Sequence, residues 1–292
     1  MMRIQFFVSS RLAADSLPAR FSRLLSSSLL SLGGVEVLDG PSPLTPHLVH
    51  VLGSWDRGLS ASLFRAVRRH LPVVYSPLGG LLPWTVADQR LDRRLSLWRD
   101  ERLMIRQAGA VHVTSQAEQS AVLRAASPRE VRLIRNAVST ATLSPEEMAR
   151  EMVRLYREVI LSCDRRQRES ISKSFADLAD QPVIRRLFSS LLYVRYQLSQ
   201  GSIPGLALDS LSRRLTQASF DEDLAADLLT ERGLLPFARR LCWVMSQTSG
   251  LTEGFMPVPP LVDRQAKKMI EKVDKNLARV EDLDKGDEKG EM

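Results

Sequence analysis

LPVVYSPLGGLLPW, residues 71–84, is the stretch of the chain that says most about the fold. Its first five residues form a short apolar run typical of a buried strand, and a helical pattern over residues 87–107 follows the loop. Because glycine has no Cβ, Gly79 and Gly80 can adopt a positive φ and let a bound group approach the backbone closely. We therefore expect a strand–loop–helix unit whose loop binds a ligand, with an ordinary loop anchored by Trp84 as the alternative.

Short apolar runs and helix-length stretches alternate through the first half of the chain. Such alternation predicts βα units and a mainly parallel sheet. The apolar runs are residues 3–9, 34–38, 47–53, 72–77, 110–115 and 130–136, and the helix candidates are residues 16–32, 58–70, 87–107 and 116–125. The predicted fold class of this half is therefore α/β, with a Rossmann-like sheet.

The alternation stops after residue 161. Helical periodicity continues from residue 167 to residue 280, so we expect an all-helical C-terminal region. The last residues are charged and poor in apolar side chains, which is typical of disorder. The predicted organisation is an α/β domain over residues 1–161, a helical region over residues 162–283 and a disordered tail over residues 284–292.

The net charge of +7 comes from the first half of the chain. Residues 1–160 contain 21 Arg and 14 Asp or Glu, whereas residues 161–292 contain 20 basic and 20 acidic residues. A basic domain attracts anions such as phosphorylated substrates, nucleic acid or acidic lipid headgroups. No apolar run reaches the roughly 20 residues that span a bilayer, and the start of the chain does not resemble a signal peptide. We expect a cytoplasmic protein, and peripheral attachment to the inner face of the membrane is left open.

Catalytic and metal-binding motifs are scarce. The chain has no G-x-G-x-x-G after its first strand, no P-loop, no G-x-S-x-G and no H-E-x-x-H. Its four histidines do not have the spacing of metal ligands, so we expect neither a metal site nor a cofactor. His50 lies near the end of the third strand and is the candidate base, with a hydrogen-bonded structural histidine as the alternative.

Ligands of parallel sheets bind where the carboxyl ends of the strands and their loops converge. Ser115 and Glu118 form an S-x-x-E capping box there, which either offers helix N–H groups to an anion or simply caps the helix. Around His50, the predicted ligand-binding residues at this edge are Ser9, Ser10, Gly53, Trp55, Gly79, Gly80, Trp84, Ser115 and Glu118.

Four segments of the first half resemble glycosyltransferase family 4 proteins. HLVHVLGSW (residues 47–55) is similar to the family's D-x-V-H-x-H-G-x-W stretch, and YSPLGGLLPW (residues 75–84) to its S-P-R-G-M-L-x-P-W loop. Residues 97–122 resemble the helix and strand that read E-x-x-L-x-x-A-x-x-I-H-x-T-S-x-x-E, and LIRNAVST (residues 133–140) the I-P-N-x-V segment. The resemblance covers residues 1 to about 160 and implies the acceptor-side N-terminal domain of a GT-B transferase, one half of that fold.

The chain also departs from the family pattern. Leu78 stands at the position of the loop arginine, Leu52 at the second histidine of H-x-H, and the first loop contains no glycine. The family's second Rossmann-like domain, which binds the sugar nucleotide, has no counterpart in the pattern beyond Asn136. Transfer needs a donor site that faces the acceptor site, because much of the rate gain comes from positioning.

Three functional hypotheses remain open. The first is a glycosyltransferase-like protein of polysaccharide or glycoconjugate synthesis without its own sugar-nucleotide domain, which acts with a partner transferase chain. The second is an active hexosyl transferase whose donor site comes from the helical region or a partner. The third is a basic nucleic-acid-binding module, disfavoured because aromatic residues are not interleaved with Arg. The expected ligand is a sugar or lipid-linked sugar acceptor; the identities of donor and acceptor are left open.

Overall fold

The computed structural model of the chain describes residues 1–9, 13, 15–39, 44–89, 91–138 and 143–274, without the side chains of residues 39 and 91–94. The chain divides into two compact units: Met1–Cys163, and a second unit whose described part is residues 164–274. The predicted disordered tail, residues 284–292, lies outside the described residues, so that expectation stays a prediction.

A six-stranded parallel sheet forms the centre of the first unit, with the strand order β2-β1-β3-β4-β5-β6. The strands are β1 (Met2–Val8), β2 (Val35–Asp39), β3 (Leu48–Leu52), β4 (Val73–Ser76), β5 (Ala110–Val113) and β6 (Val131–Leu133). The helices are α1 (Leu17–Leu32), α2 (Arg57–Arg68), α3 (Pro83–Ala87), α4 (Leu91–Gln107), α5 (Gln116–Ala125) and α6 (Pro145–Lys173). The predicted Rossmann-like α/β fold is confirmed, and each predicted strand is present.

The helical pattern predicted over residues 87–107 is two helices in the structure. The short helix α3 begins at Pro83, four residues before the predicted start, and α4 follows it. Proline favours the first position of a helix, because its fixed φ is already helical and no N–H is needed there. The loop after β4 is therefore shorter than the sequence pattern indicated.

The strand order places the topological switch between β1 and β3. The chain leaves β1 for β2 on one side and returns to β3 on the other. In doubly wound sheets, ligands bind in the crevice at the carboxyl ends of such a strand pair. Ser9 directly follows β1 and Gly53 directly follows β3, so two of the predicted site residues flank the switch point.

The two faces of this sheet differ in chemistry. Side chains alternate between the faces of a strand. One face is apolar and includes Val51, Val73 and Val111, which belong to a core cluster shared with α2, α4 and α5. The opposite face includes His50 and His112, two fully buried imidazoles in the middle of apolar strands. These buried polar groups need internal hydrogen-bond partners.

The second unit is helical, as predicted. After α6, within which the division at Cys163 falls, its helices are α7 (Pro182–Gln200), α8 (Gly205–Gln217), α9 (Glu222–Glu231), α10 (Leu235–Thr248) and α11 (Arg264–Ile270). They enclose their own apolar core. A parallel pair of two-residue strands, β7 (Ile203–Pro204) and β8 (Val273–Asp274), was not predicted. Among the described residues, no helix is both long and apolar enough to cross a bilayer.

Candidate functional site at the carboxyl edge of the sheet

The loop after β4 has the unusual backbone that its sequence indicates, but its two glycines serve different purposes. Leu78 and Gly79 have positive φ angles of 51° and 84°, and Gly80 does not belong to this group. A Cβ on Gly80 would lie 1.5 Å from Oγ of Ser54 and 2.7 Å from its Cβ. Gly79 is therefore required by the turn, whereas Gly80 is required because the loop after β3 packs directly against it.

Glu118 fastens this loop to the end of β5. Its side chain is fully buried, and Oε1 accepts a hydrogen bond of 2.5 Å from the backbone N–H of Gly79. Oε2 accepts hydrogen bonds from the backbone N–H and the hydroxyl of Thr114, at 2.7 and 2.9 Å. The capping box is only half formed. Ser115 Oγ accepts from the N–H of Glu118 at 3.2 Å, but the Glu118 carboxylate bonds to Gly79 and Thr114 and does not return a bond to the N–H of Ser115. The carboxylate thus satisfies loop donors that a bound anion would otherwise use.

Trp55 joins the loops after β3 and β4. It has a φ of 60°, its side chain is 3% exposed, and its indole N–H donates to the carbonyl of Gly80 at 2.6 Å. The indole stacks on Trp98, with ring centroids 5.8 Å apart. A tryptophan placed in this way packs inside the unit and does not present its face as a platform for a sugar.

Glu101, in the middle of α4, holds the strained backbone of Trp55. Its carboxylate is 1% exposed, accepts the backbone N–H of Trp55 at 2.5 Å and accepts the hydroxyl of Tyr75. Burial raises the pKa of Glu101 to about 7, although these two hydrogen bonds act in the opposite direction. Desolvation is the larger effect, since removing water from around a carboxylate disfavours its charged form.

Asp56 connects the end of β1 to the start of α2. It is the N-cap of α2, where Oδ1 accepts from the backbone N–H of Gly58 at 2.6 Å. Its Oδ2 accepts a hydrogen bond from the hydroxyl of Ser9, and both side chains are buried. The switch point between β1 and β3 therefore contains an internal carboxylate, which disfavours an anion at this helix N-terminus.

His50 belongs to a buried chain of hydrogen bonds across the sheet. Its Nδ1 lies 2.7 Å from the hydroxyl of Tyr156, and its Nε2 lies 2.7 Å from Oγ of Ser76. Ser76 Oγ lies 2.8 Å from Nδ1 of His112, whose Nε2 lies 3.0 Å from the carbonyl oxygen of Ile134. The side chains of Tyr156, His50, Ser76 and His112 are all 0% exposed.

One carbonyl fixes the direction of every hydrogen bond in this chain. The oxygen of Ile134 can only accept, so Nε2 of His112 carries the proton and Nδ1 of the neutral ring must accept from Ser76. Ser76 then accepts from Nε2 of His50, and Nδ1 of His50 accepts from the hydroxyl of Tyr156. Each ring nitrogen is used once, and both imidazoles are neutral Nε2–H tautomers.

The electrostatics agree with two neutral rings. Burial lowers the pKa of His50 well below its ordinary value, and the nearby His112 lowers it further. Burial also lowers the pKa of His112, against the raising influence of its hydrogen bond to Ile134. A second proton on either ring would turn an accepting nitrogen into a donor and break the chain.

The predicted site residues thus converge on one edge, but most of them contact each other. The structure brings together Ser9 with the N-cap of α2, Trp55 with Gly80, and Gly79 with Glu118. Gly53 is buried at the end of β3, and Ser115 caps α5. Trp84 takes no part in the contacts named above. It is 65% exposed, so it does not anchor the loop by packing, as the alternative interpretation expected. Ser10 lies outside the described residues.

The sequence interpretation missed several members of these networks. Those that bond the predicted residues directly are Asp56, Ser76, Glu101, Thr114 and Tyr156. Tyr75 and His112 join the networks through Glu101 and Ser76. Ser76 and His112 carried a signal, since each is a polar residue in an apolar strand run that must find a partner. Among the described residues, no three His, Cys, Asp or Glu side chains lie close enough together to hold a metal ion.

The comparisons with known proteins agree with the four sequence motifs. Residues 9–137 match the family described as "Glycosyl transferase 4-like domain". Comparisons with the curated proteins and with the solved structures give no match. The predicted resemblance of the first unit is confirmed, and a glycosyltransferase-related function follows for it.

Proposed function

We propose, on the premise that residues 9–137 form a glycosyl transferase 4-like domain, that this chain supplies the acceptor side of a sugar-transfer reaction in polysaccharide or glycoconjugate synthesis. In this proposal it has no sugar-nucleotide domain of its own and does not transfer sugar by itself. A separate transferase chain then provides the donor site.

The observation that carries the proposal is the state of His50. A catalytic base must come within hydrogen-bond distance of the proton that it removes. His50 is 0% exposed, and both of its ring nitrogens are engaged with Tyr156 and Ser76. The only candidate base named by the sequence is therefore better suited to holding β3 and β4 to α6 than to chemistry.

The carboxylates at the same edge support this interpretation. Glu118 accepts three hydrogen bonds from loop groups, and Glu101 accepts two. Each carboxylate is buried and organises a loop. Groups in this condition favour a rigid binding scaffold over a reacting centre.

The second unit supports the absence of a donor domain of the usual kind. Over residues 164–274, the only strands are the two-residue pair β7 and β8, and the rest of the regular structure is helical. A Rossmann-like nucleotide site needs alternating strands and helices. We therefore assign the sugar-nucleotide site of the complete reaction to a partner.

A basic and partly apolar surface of α3 and α4 suits an acceptor at an anionic membrane. Trp84 and Leu95 have 65% and 71% of their side chains exposed, and Leu95 lines a groove of about 510 Å³. Arg99, Arg102 and Arg106 line the same groove. Arginines beside exposed aromatic and aliphatic groups are typical of peripheral attachment to acidic lipid headgroups. We propose that this surface faces the membrane that holds a lipid-linked acceptor.

The activity test uses the full chain with UDP-glucose, UDP-N-acetylglucosamine and GDP-mannose, each with a polyprenyl phosphate acceptor. We expect no acceptor-dependent product above the background without protein. Product with any donor would contradict the proposal and favour the second hypothesis, an active transferase.

The membrane test is flotation of the full chain with vesicles that contain phosphatidylserine. We expect binding that Trp84→Ser combined with Leu95→Ser weakens, whereas Leu123→Ser, at a 56% exposed position of α5, leaves it unchanged. Equal loss in both variants, or no binding of the unmodified chain, would contradict attachment through α3 and α4.

A further inference from the structure

The second unit contains a cavity of about 300 Å³ that the first unit's family resemblance does not explain. The cavity lies among the end of α6, α7 and α8. Its lining is partly apolar, as at Ile171 and Leu211, and its polar side chains include Arg186, Gln197 and Arg214. An apolar cavity with a few convergent polar groups is the usual form of a small-molecule site.

Two arginines at this cavity have guanidinium groups that no carboxylate neutralises within the described part of the chain. Arg186 donates from Nε to the carbonyl of Pro182 at 3.1 Å, and Arg214 donates from Nη1 to the hydroxyl of Ser190 at 3.0 Å. Each guanidinium has five N–H groups, so most of its donors are left for a ligand. Uncompensated arginines beside a cavity are well suited to phosphate, whose oxygens accept paired N–H bonds.

The surroundings hold these charges in place. Ser190 donates its own proton to the carbonyl of Arg186 at 2.9 Å, so its oxygen lone pair faces Arg214. Arg168 lies over the ring of Tyr193, with 4.1 Å from Cζ to the ring centroid, and pairs with Asp164 at 2.7 Å. The Tyr193 hydroxyl donates to the other oxygen of Asp164 at 2.6 Å. These contacts position Arg214 and the ion-paired Arg168 at the cavity, and Arg186 is the exposed third arginine of its lining.

Gln197 provides an independent indication of a ligand. Its side chain lines the cavity and is 6% exposed, and its Oε1 has no hydrogen-bond partner among the described residues. A buried acceptor without a donor is unfavourable. Oε1 has less than 1 Å² of accessible surface, so a rotation of the side chain towards the cavity would bring it to a hydroxyl group on a bound molecule.

We propose that this cavity binds a small phosphorylated molecule that carries hydroxyl groups, of about the size of a sugar phosphate. Arg186 and Arg214 bind the phosphate, and Gln197 accepts a hydroxyl of the organic part. The volume is at the lower end of the range for small-molecule sites, about 300–1,000 Å³, which favours a compact ligand over a long lipid. The proposal goes beyond the acceptor role of the first unit, since it assigns a ligand to the helical unit.

The test is calorimetric titration of the full chain with glucose 1-phosphate, and separately with inorganic phosphate and with glucose. We expect saturable binding of glucose 1-phosphate, weaker binding of phosphate and none of glucose. Arg214→Gln and Arg186→Gln should each weaken binding by roughly tenfold or more, because each removes charge-assisted hydrogen bonds. Gln197→Leu should weaken glucose 1-phosphate binding but leave phosphate binding unchanged.

Arg213→Gln is the matched control. Arg213 is the neighbour of Arg214 on α8 and is exposed like it, but it donates to the carbonyl of Asp209 and does not line the cavity. We expect its variant to bind like the unmodified chain, and circular dichroism should show the same helix content for all variants. Equal losses in the Arg213 and Arg214 variants would overturn the proposal, because the effect would then be one of overall charge.

Two further results would also overturn the proposal. One is phosphate binding as tight as that of glucose 1-phosphate, which would mean that the organic part is not recognised. The other is no saturable binding of glucose 1-phosphate while vesicles with phosphatidylinositol phosphate bind through Arg214, which would assign the arginines to a lipid headgroup. None of these results depends on sugar transfer, so the acceptor role proposed for the first unit stands or falls separately.

Discussion

The two units use their polar groups in opposite ways. In the first unit, the side chains of His50, Glu101 and Glu118 form hydrogen bonds with neighbouring strands, loops and α6. In the second, Arg186 and Arg214 border a cavity with most of their donors unused. The residues of the family motifs therefore bond mainly to each other, and the arginines with unused donors lie where the sequence has no motif.

Among substitutions that test this comparison, His50→Ala is expected to cause the largest loss of stability. The substitution removes the centre of the chain from Tyr156 to His112, leaves buried partners unsatisfied and opens a cavity. We expect a loss of about 3–5 kcal/mol in the free energy of unfolding by urea. His70→Asn is the control, since His70 is exposed and has a φ of 56°, which asparagine tolerates. A loss below about 1 kcal/mol for His50→Ala would contradict the structural role.

A somewhat smaller effect concerns the pH dependence of stability. The pKa of Glu101 is about 7 in the folded chain, against an ordinary value of 4.5. Between these values the folded state binds more protons than the unfolded state, so this group's stabilisation is complete below about pH 4.5 and is lost as the pH rises through 7. The shift corresponds to about 3 kcal/mol.

Glu101→Gln removes this titration. From pH 5 to pH 8, the unfolding free energy of the unmodified chain should therefore fall relative to that of the variant. Urea unfolding at several pH values measures it. A difference that is constant across this range would show that the pKa of Glu101 is not raised. The first unit would then contain a carboxylate that is accessible to solvent, as Arg186 and Arg214 are in the second unit.

A smaller loss of stability is expected for Gly80→Ala. Its new methyl group would overlap Ser54, and overpacking of this kind costs about 1–3 kcal/mol. Gly254→Ala is the control because a Cβ there has no atom within 4 Å. Combining Gly80→Ala with Ser54→Gly should restore most of the lost stability. Failure of this rescue would mean that Ser54 is not the main obstacle and would direct attention to the carbonyl of Pro77, 3.1 Å from the added Cβ.

The smallest effect is expected in the second unit, for Tyr193→Phe. The substitution removes one hydrogen bond, to Asp164, which Arg168 also contacts. We expect a loss of about 1 kcal/mol in the free energy of unfolding. A loss as large as that of His50→Ala would erase the contrast between a tightly interlocked first unit and a second unit whose cavity groups contribute little to stability.

The sequence predicted the six strands because each is a short apolar run between helical patterns. It allowed a positive φ at both Gly79 and Gly80 because they have no Cβ, and only Gly79 has one. It left the role of His50 open between a base and a hydrogen-bonded structural histidine, because Tyr156 lies 106 residues away and only the fold brings them together. The same holds for Glu101 and Trp55, 46 residues apart. Arg186 and Arg214 are exposed helix positions, as their pattern indicates, but their place beside a cavity depends on which helices pack together.

The most direct test of the central claim is a nitrogen-15 NMR titration of His50 and His112. If the buried chain builds the scaffold, both rings stay neutral Nε2–H tautomers from pH 8 to below pH 6, and neither resonance moves when nucleotide sugars or polyprenyl phosphate are added. A His50 ring that titrates near its ordinary pKa of 6.5, or that shifts when such a ligand is added, would contradict the account and return His50 to the role of catalytic base.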